Sequence, residues 1–253
     1  MSGLGSEMNP ADGADPSSTS WEPWLARSGA EVVFLPGERL AAQRIARRLF
    51  QRPLAAWEYA GLAGAPNGAR VEVGASGRKL YIEMGDPAAA AYRAHYYVRR
   101  SAAQIVVIND GFHIPLRNLR RHGFGLCVFH RQVAAAAALG VDRIELVAGR
   151  RHDENGYYTW PRFGFEGVLP ARLRRMLPIG LSGARTVLDL MECEKGRRWW
   201  REHGVTICAA FDLRAGSRSL AAWDRYVQTK VNSASGTKTN LEISAAISYG
   251  IAR

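Results

Sequence analysis

From Glu31 onward, apolar residues recur with two different periods along the chain. Short segments in which every second residue is apolar predict β-strands, and longer segments with apolar residues three and four apart predict helices. The predicted strands are Glu31–Leu35, Arg70–Val73, Lys79–Met84, Tyr92–Arg99, Gln104–Ile108, Arg143–Ala148 and Val205–Leu213. The predicted helices are Glu38–Phe50, Pro53–Leu62, Leu169–Met176, Ala184–Arg201 with an interruption at Gly196, and Ser219–Lys230.

Turn residues connect several of these strands. The run Gly74-Ala75-Ser76-Gly77 separates two of them and predicts a β-hairpin. Asn109-Asp110-Gly111 is typical of a hairpin turn, so the strand ending at Ile108 is predicted to turn back into Phe112–Leu116. The sequence therefore predicts an antiparallel meander in the middle of the chain.

The stretch Leu116–Val133 combines a basic turn with an apolar helix. Arg120-Arg121-His122 precedes two glycines, Gly123 and Gly125. Glycine lets the backbone approach a ligand closely, and the unpaired N–H groups and dipole of a helix N-terminus attract anions. The pattern favours a pyrophosphate-binding turn. The alternative is a glycine-rich turn that only caps an ordinary helix in another α/β fold.

The six residues Arg120-Arg121-His122-Gly123-Phe124-Gly125 fit a known motif. They resemble the Arg/Gln-x-x-Gly-x-Gly/Ala sequence with which GNAT-superfamily N-acetyltransferases hold the pyrophosphate of acetyl coenzyme A. The strand Arg143–Ala148 and then Gly164-Phe165-Glu166 follow in the order of that family's second half. The resemblance covers residues Arg70–Val168.

The resemblance implies a fold, a domain organisation and an activity. The fold would be of the α/β (α+β) class, with a mixed, mostly antiparallel central sheet flanked by helices. The GNAT-like domain would span residues 21–168, and residues 169–253 would form a C-terminal extension packed on it. Residues 1–20 are poor in apolar side chains, which predicts a disordered tail. The activity would be transfer of an acyl group from acetyl-CoA to a primary amine by direct attack.

The resemblance also implies positions for the coenzyme and for the catalytic acid. Trp160 stands where family members commonly have a tyrosine that protonates the leaving thiolate, so Tyr157 and Tyr158 become the candidate acids. Packing against the coenzyme cleft is the alternative interpretation of all three side chains. The coenzyme would contact Leu116, Arg120, Arg121, His122, Gly123, Phe124, Gly125, Leu126 and Asn155.

A second group must take a proton from the acceptor ammonium. Glu83, near the end of a predicted central strand, is the candidate base, and Asp110 and His113 are its rivals. The alternative for Glu83 is a carboxylate that is only solvated or paired with a cation. The acceptor itself is predicted no further than a primary amine.

The chain is strongly basic, with 34 Lys and Arg against 23 Asp and Glu. Such a surplus favours acidic partners, including nucleic acid and phosphate-rich cofactors. Arg197-Arg198-Trp199-Trp200-Arg201 can stack on single-stranded nucleic acid, but a helix with buried tryptophans is the favoured interpretation. Two alternatives to the enzyme stay open. One is an inactive GNAT-fold protein that binds coenzyme A or a partner, and the other is a nucleic-acid-binding protein.

Three cysteines, Cys127, Cys193 and Cys208, are widely spaced and indicate neither a disulfide framework nor a metal site. The first residues lack the basic start and apolar core of a signal peptide, and no apolar run is long enough to span a membrane. The sequence predicts a cytoplasmic protein that does not contact a membrane, and it leaves a homodimer open.

Overall fold

The computed structural model describes residues 29–87, 91–115, 119, 123–151 and 154–235. The tail predicted for residues 1–20 lies outside this range. Within the described residues, seven strands form a single sheet, and eight α-helices accompany it. The chain therefore has a mixed α/β architecture.

The seven strands lie side by side in chain order. β1 is parallel to β2, antiparallel pairs lead from β2 to β5, β6 is parallel to β5, and β7 is antiparallel to β6. The prediction of a mixed, mostly antiparallel sheet is thus confirmed. The strands are β1 Glu31–Phe34, β2 Arg70–Ser76, β3 Lys79–Gly85, β4 Arg93–Ser101, β5 Gln104–His113, β6 Arg143–Ala148 and β7 Ile207–Asp212.

The helices fall between β1 and β2, between β5 and β6, and on both sides of β7. They are α1 Arg39–Phe50, α2 Ala56–Leu62, α3 Phe124–Ala138, α4 Gly156–Arg162, α5 Ala171–Arg175, α6 Val187–Met191, α7 Glu194–His203 and α8 Arg218–Ser235, with a 3-10 turn at Ile179–Leu181. Because β7 follows residue 168, the C-terminal part of the chain contributes a strand to the same sheet.

The single helix predicted over Ala184–Arg201 is wrong, because the chain forms two helices there, α6 and α7. The sulfur of Cys193 caps α7 by accepting a hydrogen bond from the Gly196 N–H at 3.3 Å. Gly196 does not interrupt a helix but lies inside α7, where an added Cβ would be 2.2 Å from the Leu190 carbonyl oxygen. The glycine therefore permits close packing of two helices.

The two faces of the sheet differ in polarity. Cross-strand partners such as Val73, Ile82 and Tyr96 share an apolar, buried face. Helix α3 lies on this face, where the Phe129 ring packs 5.2 Å from the ring of Phe211 in β7. We call the other side the polar face; its partly buried side chains include Tyr81, Glu83, His95, Tyr97, Arg99, Arg143 and Glu145.

Helices α2 and α3 approach each other closely through small residues. A Cβ added at Gly61 would lie 2.7 Å from the Cβ of Ala135, and one added at Gly64 would lie 2.0 Å from the Val128 carbonyl oxygen. Larger side chains at these positions would push the helices apart. The position of α3 is therefore fixed by α2 as well as by the sheet.

The hairpin turn predicted at Asn109-Asp110-Gly111 is wrong, because β5 continues through these residues to His113. The register with β4 shifts here: Tyr96 faces Asn109 and His95 faces Gly111, which leaves Asp110 as a bulge. The buried Asn109 amide exchanges hydrogen bonds of 2.9 and 3.1 Å with the amide of Gln132 in α3. This contact between distant parts of the chain favours an extended Asn109 over the local turn.

Strands β5 and β6 pair over only part of their length. Val106–Asn109 pairs with Arg143–Leu146. Beyond Asp110, Gly111–His113 of β5 is paired with β4 alone, and Val147–Ala148 of β6 with β7 alone, as far as the described residues show. The two parallel strands therefore stop pairing at Asn109, the residue before the bulge. We call the space between them the β5–β6 opening.

Candidate functional site

Helix α3 begins beside the β5–β6 opening. Gly123 precedes the helix with a left-handed φ of 79°, and its carbonyl oxygen accepts the first helical hydrogen bond from the Cys127 N–H at 3.0 Å. The N–H groups of Phe124, Gly125 and Leu126 have no partner inside the helix, as at any helix start. Together with the helix dipole, these donors make the start of α3 attractive to an anion.

The two glycines of the turn have different roles. A Cβ added at Gly123 would have no described atom within 4 Å, so the positive φ is the reason for glycine there. A Cβ added at Gly125 would lie 3.4 Å from Cε1 of Phe112, in the separated part of β5. Gly125 therefore brings the first turn of α3 against the strand that borders the opening.

The remaining predicted coenzyme contacts are only partly within the described structure. Leu116, Arg120, Arg121 and His122 lie outside the described residues. Phe124 and Leu126 are in the first turn of α3, and Asn155 directly precedes α4. The carbonyl oxygen of Asn155 accepts hydrogen bonds from the N–H groups of the first turn of α4, which leaves its exposed side chain outside the capping contact.

Aromatic side chains connect β5, α3 and α4 beside the opening. The Phe112 ring lies 6.5 Å from that of Phe124 and 6.3 Å from that of Trp160, between ring centres. The Tyr92 ring lies 4.7 Å from that of Phe124, tilted by 44°. Burial, and then the charge of Asp86, raises the pKa of Tyr92 to about 12, so its phenol stays neutral. Trp160 thus joins the wall of packed rings that borders the opening.

The two candidate acids both contact α7. The Tyr157 hydroxyl donates a hydrogen bond to the Arg201 carbonyl oxygen at 2.9 Å, and the Arg150 guanidinium lies 4.8 Å from the centre of its ring. The Tyr158 hydroxyl accepts a hydrogen bond from the Arg201 guanidinium at 2.7 Å. Arg162 lies over the Tyr158 ring. These contacts anchor α4 to α7, and in them Tyr157 donates its hydroxyl hydrogen whereas Tyr158 only accepts.

Glu83 lies on the polar face of β3, within a group of hydrogen-bonding side chains. The Tyr81 hydroxyl donates to its Oε2 at 2.5 Å, and Nε of Arg93 donates to its Oε1. Nδ1 of His95 lies 3.5 Å from the same Oε2 and 3.1 Å from the Tyr81 oxygen. We call Tyr81, Glu83, Arg93 and His95 the β3–β4 cluster.

The pKa values in this cluster follow from burial and hydrogen bonding. Burial alone would raise the pKa of the Glu83 carboxyl, but hydrogen bonds from Arg93 and Tyr81 and the nearby His95 bring it below its ordinary value. Burial and the hydrogen bond to Glu83 raise the pKa of Tyr81 well above its ordinary value. Glu83 is therefore an ionised carboxylate at neutral pH, and its low pKa makes it a weak proton acceptor.

A cavity of about 460 Å³ lies where β5 and β6 begin to separate. The carboxylates of Glu145 and Glu166 in its wall are neutralised by Arg143 and Arg218, at 2.6 and 2.7 Å. Asp110 has no hydrogen bond or ion pair with the described residues. The apolar wall of the cavity includes Ile108, Val147, Val168 and Ala210. The cavity can therefore take a ligand with an apolar part and leaves one carboxylate available to a cation.

The structure places the three predicted base candidates, Glu83, Asp110 and His113, in different surroundings. Asp110 lines the cavity, whereas His113 is exposed at the end of β5, opposite Arg93. Glu83 and Gly111 both lie opposite His95, one on each neighbouring strand. Sequence reasoning missed His95, although its alternation with Tyr97 in β4 was visible. The sequence alone does not give the strand register that places His95 opposite Glu83.

The arginine and tryptophan run lies in α7. Trp200 is fully buried and Trp199 is nearly so, and the Trp200 indole N–H donates to the Tyr157 carbonyl oxygen at 2.8 Å. Arg198 pairs with Glu194 on the exposed side of the helix. The tryptophans are core residues and are not available to stack on bases.

No protein-family model matches the chain, and no curated protein shows significant similarity to it. Among the described residues, no helix combines the length and the apolar character needed to cross a membrane. In the same part of the chain, no group of three His, Cys, Asp or Glu side chains could hold a metal ion.

Proposed function

We propose that this chain is an acetyl-CoA-dependent N-acetyltransferase of the GNAT type, which transfers the acyl group to a primary amine by direct attack. One observation carries the proposal. The parallel strands β5 and β6 stop pairing at a bulge, and α3 begins beside this separation with a left-handed glycine and with N–H groups that have no partner inside the helix. This is the arrangement expected from the motif Arg120–Gly125.

The start of α3 would bind the pyrophosphate of the coenzyme. The N–H groups of Phe124, Gly125 and Leu126 are hydrogen-bond donors for phosphate oxygens, and the dipole of this 15-residue helix adds positive potential. Gly123 leaves open space at the point where the diphosphate would lie. The pantetheine arm would pair with the edge of β5 at Asp110–His113, which β6 does not cover.

The acceptor amine would approach through the cavity on the polar face. This cavity meets the β5–β6 opening, so a thioester lying between the strands would be accessible from the cavity. The unpaired Asp110 would attract the ammonium group, and the apolar wall would receive the rest of the acceptor. The amine would attack the thioester directly, without a covalent enzyme intermediate.

Isothermal titration calorimetry with acetyl-CoA tests the coenzyme site. Gly123→Asp places a negative charge where the pyrophosphate would bind, and we expect it to raise Kd by at least about tenfold, or ~1.4 kcal/mol. Gly140→Asp is the matched control, because Gly140 follows the other end of α3 with a φ of 69° and is also surrounded by open space. Both variants place a non-glycine residue at a positive φ, so their Tm values should fall by similar amounts.

The control should bind acetyl-CoA as tightly as the parent. If the parent does not bind acetyl-CoA, the proposed function is wrong. If both variants lose binding equally, α3 does not hold the pyrophosphate through its N-terminus.

A second candidate function is binding of coenzyme A without turnover. It is favoured by Trp160 at the usual tyrosine position and by the engagement of Tyr157 and Tyr158 with Arg201. This candidate predicts acetyl-CoA binding with no thiol release in the presence of any amine. A thiol-release assay with a panel of amines separates it from the enzyme.

A further inference from the structure

The imidazole of His95 has one engaged edge and one available edge. Nδ1 lies 3.1 Å from the Tyr81 oxygen and 3.5 Å from Oε2 of Glu83. On the opposite edge, Cδ2 is the atom nearest to where a Cβ of Gly111 would lie, at 3.6 Å. Nε2 adjoins Cδ2 and makes no hydrogen bond with the described residues. The imidazole is thus held from the β3 side and presents Nε2 toward β5.

The partners of Nδ1 determine which nitrogen carries the proton in the neutral ring. The Tyr81 hydroxyl donates its hydrogen bond to Glu83, so its oxygen can accept a hydrogen bond from Nδ1. The Glu83 carboxylate is also only an acceptor. Because both neighbours of Nδ1 are acceptors, the favoured tautomer has the proton on Nδ1 and the lone pair on Nε2.

The position of His95 in the sheet places this lone pair beside the β5–β6 opening. Gly111, its cross-strand neighbour, adjoins the bulged Asp110, and β5 leaves β6 at the residue before that bulge. Asp110 lines the cavity through which the acceptor would enter. The absence of a side chain at Gly111 keeps the space next to the imidazole open.

We infer that His95 is the general base of the acyl transfer, and that Glu83 is a positioning residue which holds its imidazole through Nδ1. This inference rests on the proposed function. Glu83 is poorly placed to be the base itself, because Arg93 donates to one of its carboxylate oxygens and Tyr81 to the other. Its charge instead stabilises the imidazolium that forms during the reaction.

The protons balance as follows. His95 Nε2 takes one proton from the acceptor ammonium, which leaves a neutral amine. The amine nitrogen attacks the thioester carbonyl carbon, the C–N bond forms and the C–S bond breaks. The second proton of the nitrogen ends on the leaving thiolate, and the imidazolium returns its proton to water. The products are the amide, free coenzyme A and one proton.

The first test is kinetic and uses acetyl-CoA with spermidine, tyramine and a short peptide with a free amino terminus as probe amines. We expect His95→Gln to lower kcat by about 10²- to 10³-fold, with the KM for acetyl-CoA within twofold of the parent. Glu83→Gln should lower kcat less, by about tenfold, since the base remains. His203→Gln, a change to an exposed histidine on α7, is the matched control and should leave kcat unchanged.

The pH profile separates a base from a structural residue. In the parent, kcat should fall on the acid side, where a general base can no longer accept a proton, and His95→Gln should remove this dependence. Other titratable or charged groups near the imidazole could also shape the profile. They are Glu72 of β2, Tyr81 and Glu83 of β3, Arg93 and Tyr97 of β4, and Asp110 and His113 of β5.

The second test needs no acceptor. Diethyl pyrocarbonate modifies unprotonated imidazole nitrogens, and mass spectrometry of the digested protein reports each histidine separately. We expect His95 to react in the free protein and to be protected at least about tenfold by saturating acetyl-CoA, because the thioester would lie beside Nε2. His203, which lies on α7 and does not line the cavity, should react equally with and without the coenzyme.

The outcomes distinguish this inference from the proposed function. If acetyl-CoA does not bind, both are wrong. If acetyl-CoA binds but His95 is not protected, or if His95→Gln keeps kcat within twofold, His95 is not the base and the coenzyme site stands. Protection without turnover of any probe amine supports binding of coenzyme A without turnover and overturns the assignment of His95 as a base.

Discussion

The two halves of β5 belong to one strand but have different surroundings. From Gln104 to Asn109 the strand is paired with β4 on one side and, over most of this length, with β6 on the other. In the open half, Asp110–His113, the bulged Asp110 has no partner in β4, and Gly111–His113 keeps only its pairing with β4. The paired half contributes fully buried side chains such as Val106 and Val107, whereas the open half ends in exposed residues.

This difference indicates how a binding opening can arise in a continuous sheet. The register shift at Asp110 lets β5 continue alongside β4 while β6 leaves it. A bulge bends and twists its strand, so one extra residue is enough to separate two neighbours. The core stays intact under the paired half, and the backbone of the open half becomes available to a ligand.

The largest expected effect concerns the boundary between the halves. Gln132→Leu keeps the size of the side chain but removes its hydrogen bonds to the Asn109 amide and the Leu62 carbonyl oxygen. Because Asn109 is buried and would lose its partner, we expect the free energy of unfolding to fall by about 3 kcal/mol. Urea denaturation measures this loss of free energy of unfolding. Gln43→Leu on α1 is the control, and a loss below about 1 kcal/mol for Gln132→Leu contradicts the prediction.

An intermediate effect concerns the β3–β4 cluster, which faces the open half through His95. The folded-state pKa of Glu83 is lowered, so its contribution to stability is present above the ordinary carboxyl pKa and is lost as the pH falls through the folded-state value. Glu83→Gln should therefore lower the free energy of unfolding by about 1 kcal/mol at pH 7, and the difference should shrink below about pH 4.

Denaturation of parent and variant from pH 7 to pH 3 measures this difference. Tyr81→Phe, alone and combined with Glu83→Gln, completes a double-mutant cycle for the hydrogen bond between these side chains. A difference that stays constant down to pH 3 contradicts an ionised Glu83 as its source.

The smallest effect is expected at Asp110, within β5, and Asp142, which directly precedes β6, is its comparison. Asp142 accepts a hydrogen bond from the Ile105 N–H at 2.7 Å at the paired end, whereas Asp110 has no such partner among the described residues at the open end. We expect Asp110→Ala to change stability by less than about 0.5 kcal/mol, and Asp142→Ala to cost about 1–2 kcal/mol. Equal losses in thermal unfolding would show that the bulge depends on the Asp110 carboxylate.

The sequence was sufficient for features that depend on local patterns. Alternation along Lys79–Met84 and Arg143–Ala148 identified strands that the structure contains, and Gly123 marked the start of α3. These predictions succeed because side-chain period and backbone conformation at glycine are properties of a few consecutive residues.

Features that depend on distant contacts were not predictable. Asn109-Asp110-Gly111 has the composition of a turn, but its conformation is set by Gln132, 23 residues further along the chain. The sequence marks Gly196 as an interruption of the helix, whereas the structure explains this glycine by its close contact with Leu190. The pairing of His95 with Glu83 depends on the strand register, which single-sequence patterns do not give.

The bulge at Asp110 also bears on how the protein avoids self-association. A strand edge with uncovered N–H and C=O groups is a template on which a strand of another molecule can add, and this is a common route to aggregation. The open half of β5 is such an edge, but it is only four residues long and begins with a bulged, charged aspartate. Short length, a bulge and a charge are the devices that discourage strand addition, so the residue that creates the opening also protects it from other chains.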